Sequence, residues 1–102
     1  MGGRIRFFVS GGAPLSLDVK NFISVVFSAP VFEAYGMTEA SGNLTCTAIW
    51  DRYGNNVGGI LPCLKMQLRD NPELNFSTDS SPPTGEVFVK GYSVFKGYYK
   101  NP

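Results

Sequence analysis

The sequence predicts an α/β fold, a βαβ-like unit followed by mainly antiparallel strands. Two observations carry this. An alternating apolar run, a helical apolar period and a second apolar run stand in that order between Arg4 and Tyr35, joined by glycine- and proline-bearing turns. Beyond residue 48 the helical period disappears, and turn residues separate two further runs of period two. With 102 residues the chain holds at most one ordinary domain. An α/β part (1–48) beside a mainly β part (49–102) therefore reads as the junction of two subdomains of something larger.

Taken in order, Arg4 to Val9 alternates, with Ile5, Phe7 and Val9 on one side and Phe8 keeping the other side apolar. That predicts a strand covered on both faces. Gly11-Gly12-Ala13-Pro14 ends it. Ser16 is placed to cap a helix over Leu17–Phe27, with Asp18 in the first turn where the helix dipole favours negative charge. Val19, Phe22, Ile23 and Val26 follow at i, i+3, i+4, i+7 and form its expected buried stripe. Pro30 bars continuation, and Val31–Tyr35 reads as a second, buried strand, parallel to the first through a right-handed crossover.

Ala40 to Thr47 is small and polar and reads as a loop, and Asp51 to Asn56 is turn chemistry. Gly58 to Pro62 reads as a loop that must pass close to something. Leu64, Met66 and Leu68 alternate with Lys65, Gln67 and Arg69 as a half-buried strand. Asn71 to Pro83 is an exposed connection, Glu86–Lys90 another strand, and Gly91–Tyr99 a closing segment rich in glycine and aromatics.

Composition removes several functions. The formal charge of +1 gives no footprint for a nucleic acid. With no histidine, neither a Ser-His-Asp triad nor a His-ligated zinc site can form within these residues. Cys46 and Cys63 make neither a C-x-x-C motif nor a disulfide framework and read as reduced. No apolar run approaches the ~20 residues of a membrane span.

The chemistry concentrates in two loops that follow the two parallel strands, at the sheet edge where open α/β folds bind ligands. Gly11-Gly12-Ala13-Pro14 lacks the Gly-Lys-[Ser/Thr] of a polyphosphate-wrapping loop, and its small residues suit a flat ring lying against the backbone. Tyr35-Gly36-Met37-Thr38-Glu39 supplies an aromatic face, a hydroxyl and a carboxylate. Tyrosine stacking on a base is worth ~1–3 kcal/mol in single-stranded nucleic acid complexes. A carboxylate is a hard oxygen ligand for Mg²⁺, which is commonly shared with substrate phosphates. Each loop alone is equally compatible with a structural role, as a tight turn or as a core tyrosine beside a solvated threonine and glutamate.

Gly-Gly-Ala-Pro-Leu-Ser at 11–16, Tyr-Gly-Met-Thr-Glu at 35–39, Gly-Glu-Val-Phe-Val-Lys-Gly at 85–91 and Gly-Tyr-Tyr-Lys-Asn-Pro at 97–102 together resemble the adenylate-forming (AMP-binding) superfamily. Within it the chain is most similar to long-chain fatty acyl-CoA synthetases. The resemblance covers residues 4–102 and implies part of the large N-terminal domain of such an enzyme. It implies ATP, Mg²⁺ and CoA, with a fatty acid as the other substrate. Gly11, Gly12 and Ala13 would line the adenine site and Tyr35 would stack on the base. Gly36 and Met37 would border the acyl carboxylate, Thr38 would contact phosphate, and Glu39 would hold Mg²⁺, Thr38 and Glu39 being the catalytic pair. Family members often carry Gln-Gly or Asn-Gly before the tyrosine. Here Glu33-Ala34 stands instead, so an amide contact to the adenine amino group is replaced by a carboxylate able to accept from it.

The resemblance also places the family's phosphate loop before residue 1 and its ribose-binding aspartate, hinge and catalytic lysine after residue 102. The chain is thus expected to be an internal fragment, inactive alone, of an enzyme at the cytoplasmic face, with association of the parent to endoplasmic reticulum or peroxisomal membranes compatible with it. Two other readings stay open: a non-catalytic nucleotide-binding or interaction module, and another adenylate-forming branch acting on short-chain or aryl acids.

Overall fold

The computed structural model describes residues 2–51 and 53–101. Arg52 of the predicted turn and Pro102 of the closing motif lie outside them. In chain order the elements are β1 (Phe8–Gly11), α1 (Leu17–Phe27), β2 (Val31–Met37), a 3-10 turn (Thr38–Ala40), β3 (Gly42–Cys46), β4 (Gly59–Ile60), β5 (Leu64–Arg69), a second 3-10 turn (Pro72–Leu74) and β6 (Glu86–Gly91). One sheet has the order β1-β2-β3-β4, and β5 and β6 form a second.

The predicted βαβ unit is present. β1 and β2 run parallel from Phe8↔Val31 to Gly11↔Ala34, with α1 as the crossover. The helix has the predicted bounds. Ser16 accepts a hydrogen bond from the Val19 N–H at 3.4 Å, and Ser28, in the left-handed region at φ 49°, ends the helix by donating its N–H to Ser24 and Val25. Pro30 then supplies the carbonyl that receives the Phe8 N–H at 2.9 Å.

Four expectations are corrected. The strand begins at Phe8, not Arg4, because ladder pairing starts at Val31, and it continues through Gly11. It is also covered on one face only. Phe8 packs against Phe27 of the helix, whereas Phe7 and Val9 are 57% and 54% exposed on the far side, where Phe7 meets only the edge of Phe32. One helix can cover only one face of a sheet.

The helix is rotated relative to the expected stripe. Lys20, Ile23, Ser24 and Phe27 are its half-buried positions, while Val19, Phe22 and Val26 are exposed. The helix is apolar over two faces, so periodicity alone did not say which of them meets β2. The Lys20 ammonium settles it by pairing with the Glu33 carboxylate of β2 at 2.9 Å, with the side chains 12% and 8% exposed.

Ala40 to Thr47 is not a loop. After the 3-10 turn, Ser41 (φ 58°) and Gly42 (φ 127°) reverse the chain into β3, which pairs antiparallel with β2. Leu44, the single large apolar residue of that stretch, is fully buried. With Ala40 and Leu64 it forms a small core, against which Tyr35, Met37, Leu61, Met66 and Val89 pack. β3 is short and mostly polar, so its pairing, not its composition, makes it a strand.

The second sheet follows the sequence reading, with Leu64 buried, Met66 half-buried and β5 paired to β6 from Leu64↔Gly91 to Arg69↔Glu86. On the outer face the Arg69 guanidinium lies 4.1 Å from the centre of the Phe88 ring. Both cysteines are free, as expected. The connection after β5 is held by polar contacts. Asp70 accepts from the Thr78 N–H at 2.7 Å and its hydroxyl at 2.8 Å, in that order the causes that lower the Asp70 pKa. A carboxylate lowered in the folded state stabilises fully above its unfolded pKa and loses that contribution as pH falls through the folded value. Thr78→Val is therefore expected to return the Asp70 pKa only part of the way, since the backbone bond remains; NMR titration of the carboxyl carbon reads this.

The radius of gyration is 16.4 Å, against roughly 13 Å for a compact chain of about 100 residues. A small core, a flattened profile and exposed Phe22, Val25, Trp50 and Tyr53 belong together: much apolar surface has no cover among the described residues.

Candidate functional site

The loops after β1 and β2 meet. A cleft of about 510 Å³ opens where Gly12 and Ala13 face Tyr35 and Gly36, and residues Asn55, Asn56 and Val57 close its third side. That volume lies within the range of small-ligand clefts, roughly 300–1,000 Å³. Its place, at the carboxyl end of parallel strands, follows from the βαβ unit.

Of the expected binding residues, Gly12, Ala13, Tyr35 and Gly36 share this cleft. Gly11 lies just beneath it in β1, paired with Ala34. Met37 is packed against the small core and does not line the cleft. Thr38 and Glu39 stand in the following turn, with Thr38 exposed and its carbonyl accepting the Ser41 N–H at 3.0 Å.

Gly36 has a reason that the motif alone did not reveal. A Cβ there would lie 2.1 Å from the Gly42 carbonyl oxygen and 2.8 Å from the Asn43 Cα, at the point where the β2–β3 register shifts between Tyr35 and Gly36. Glycine lets β3 approach close enough to hold the tyrosine over the cleft.

Glu33, expected to offer its carboxylate to an adenine amino group, has one carboxylate oxygen engaged within the protein. One carboxylate oxygen receives the Lys20 ammonium, and the backbone N–H donates to the Thr47 hydroxyl at 2.9 Å. It also borders the cleft.

Glu39 is held from the far end of the chain. The Tyr98 hydroxyl donates to Glu39 Oε1, and the Phe95 N–H donates to the Glu39 carbonyl at 2.8 Å. The Tyr98 bond is the largest cause that lowers the Glu39 pKa, and the same bond raises that of the Tyr98 phenol. Glu39 is thus an anionic hard-oxygen donor. Among the described residues no group of three or more Cys, Asp and Glu is gathered to hold a metal. A single carboxylate fits Mg²⁺, which binds through one or two carboxylates with water and substrate phosphates completing the shell. Asn55–Val57 and Tyr98 were missed by sequence reasoning. The first read as ordinary turn residues, and nothing local to Tyr98 points to a partner 59 residues away.

The site thus joins a cleft at the strand ends, lined by an aromatic ring and by backbone, to a carboxylate restrained in the turn that follows. Residues 1–99 match the profile of the AMP-binding enzyme family, and the chain belongs to that family. It is 43% identical over 102 residues to long chain acyl-CoA synthetase 7, peroxisomal, of Arabidopsis thaliana, covering 99% of this chain and 15% of that protein. It is 42% identical over 103 residues to fatty acyl-CoA synthetase A of Dictyostelium discoideum, again covering 15% of the relative. Among solved structures, the A domain of the carboxylic acid reductase of Segniliparus rugosus, in complex with AMP and a co-purified carboxylic acid, superposes with a TM-score of 0.75. Its identity is 35%, over 99% of this chain and 15% of that one. The chain therefore spans about 15% of the length of the relatives it matches.

Proposed function

We propose that the chain is the part of a long-chain fatty acid–CoA ligase that carries the adenine, acyl-edge and Mg²⁺ elements of its AMP-binding domain. The observation that supports this best is the convergence of Gly12, Ala13, Tyr35 and Gly36 on one cleft in a chain 43% identical to a long-chain acyl-CoA synthetase. Residues 1–48 supply the nucleotide loops, and residues 49–102 the mainly β part, with Asn55–Val57 returning to the cleft.

The reaction proposed for the whole enzyme has two halves. A fatty acid carboxylate attacks the α-phosphorus of ATP, forming acyl-AMP and releasing pyrophosphate. The CoA thiol then attacks the acyl carbonyl and releases AMP. Tyr35 stacks on the adenine, with Gly12 and Ala13 forming the opposite wall and Gly11 supporting them from β1. Gly36 and Met37 border the acyl carboxylate, Thr38 donates to a phosphate oxygen, and Glu39 is the carboxylate that holds Mg²⁺. When bound, that ion neutralises phosphate charge, which is the main demand of adenylation. No covalent enzyme nucleophile is needed for this reaction. Two plant relatives are described as peroxisomal, and we extend peroxisomal association to the parent of this chain.

Fatty-acid-dependent exchange of pyrophosphate into ATP, measured on the full-length protein carrying this segment, tests the reading. The expected result is exchange with hexadecanoate exceeding that with acetate or benzoate, and its reduction by ~10²–10³-fold in Glu39→Gln, the scale of removing one preorganised charge-stabilising group. Exchange that does not depend on a fatty acid would reject the ligase assignment. Unchanged Mg²⁺ dependence in Glu39→Gln would reject the role of that residue.

A further inference from the structure

Three contacts bind the closing segment to the turn that carries Glu39. The Phe95 N–H donates to the Glu39 carbonyl at 2.8 Å, the Ser41 hydroxyl donates to the Ser93 carbonyl at 2.8 Å, and the Tyr98 hydroxyl donates to Glu39 Oε1. Tyr98 is itself oriented, its ring meeting that of Phe95 edge-on at 4.9 Å and 85°. The turn is thereby clamped at backbone and side chain together by residues more than fifty positions away.

A free glutamate side chain samples several rotamers, and ligating an ion requires one of them. Fixing that rotamer beforehand removes part of the ordering cost of binding. A phenol hydroxyl suits the task, since it occupies one oxygen of the carboxylate and leaves the other open. We propose that Tyr98 is a positioning residue for Glu39, its hydroxyl presetting the carboxylate to receive a divalent cation with the nucleotide phosphates. The proposal rests on the reading of Glu39 as the Mg²⁺ ligand. It makes the closing segment part of the site, not merely the end of the second sheet.

The plain alternative is that Tyr98 only fastens the closing segment. Tyr98→Phe separates the two, because it keeps the ring against Phe95 and removes the hydroxyl alone. In the full-length protein, Mn²⁺ binding in the presence of ATP, followed by electron paramagnetic resonance, is expected to weaken about tenfold, the low end for outer-shell partners of metal ligands. The KM for the fatty acid is expected to stay unchanged. In a Glu39→Gln background the same substitution should add nothing.

A wild-type Mn²⁺ constant in Tyr98→Phe overturns the positioning role while leaving Glu39 as ligand, provided Glu39→Gln does weaken binding. An unchanged constant in Glu39→Gln removes the reading of Glu39 and the role of Tyr98 with it. A full Tyr98→Phe effect that persists in the Glu39→Gln background also overturns the proposal, because the hydroxyl would then act elsewhere. A fall in midpoint with no change in Mn²⁺ binding returns Tyr98 to a fastening role.

Discussion

Lys20→Met is expected to destabilise the fold by about 3–5 kcal/mol, the usual cost of removing one partner from a buried ion pair. The Lys20–Glu33 pair lies between α1 and β2 at 2.9 Å, with side chains 12% and 8% exposed. Taking away the ammonium leaves the Glu33 carboxylate without its counter-charge against the sheet. The Coulombic attraction in itself does not set this figure; the stranded charge does. The paired replacement Lys20→Met with Glu33→Met should therefore recover most of the loss, since hydrophobic pairs of similar volume often equal or exceed the ion pair they replace. A double-mutant cycle of urea unfolding, run on the full-length protein, tests both halves. A single-variant loss within about 1 kcal/mol would place the pair with exposed salt bridges. Because Glu33 stands two residues before Tyr35 on β2, weaker ATP binding should accompany the destabilisation in the single variant and recover in the double.

Gly36→Ala is the second large effect, and it acts by a different route. The added Cβ would meet the Gly42 carbonyl oxygen at 2.1 Å, its carbon at 2.7 Å and the Asn43 Cα at 2.8 Å. These are backbone atoms, so no side chain can swing aside. Overpacking typically costs about 1–3 kcal/mol, and a clash with a hairpin partner belongs at or above the upper end. Relief requires β3 to move off β2, which would also displace Tyr35 from the cleft. Reduced stability and loss of nucleotide binding should thus appear together. Gly59→Ala is the matched control. Gly59 pairs with Cys46 at the far edge of β3, and nothing lies within 4 Å of its added Cβ. It should change the unfolding midpoint little, and parity between the two variants would refute the close-approach argument.

Legibility differed from element to element, for physical reasons. Ser16, the apolar spacing and Pro30 define α1 through local backbone and capping chemistry, so its bounds were readable. β5 was readable because Leu64, Met66 and Leu68 alternate with polar neighbours and its sheet has one core face. β3 was hidden. Gly-Asn-Leu-Thr-Cys has no clear period, and it becomes a strand only because β2 offers its edge and Leu44 finds a core. The buried face of α1 was misassigned by one position for a related reason: Val19 and Phe22 look more apolar than Lys20, yet Lys20 is the residue with a charged partner across the interface. In the candidate site, the residues contributed by contiguous motifs were visible. Those contributed by distant ones, Asn55–Val57 and Tyr98, were not.

By itself the sequence determined the βαβ unit, the helix bounds, the two glycine-bearing loops at the strand ends and the family to which their residues belong. These depend on short-range causes: periodicity, caps, turn residues and motif spacing. Tertiary structure alone decided that Glu33 pairs with Lys20 across the helix–sheet interface, that Gly36 is glycine because β3 passes within reach of its Cβ, and that Tyr98 holds Glu39. Each of these joins groups from separate elements, and only a folded backbone brings a charge, a carbonyl or a hydroxyl to within bonding distance across such separations in the chain.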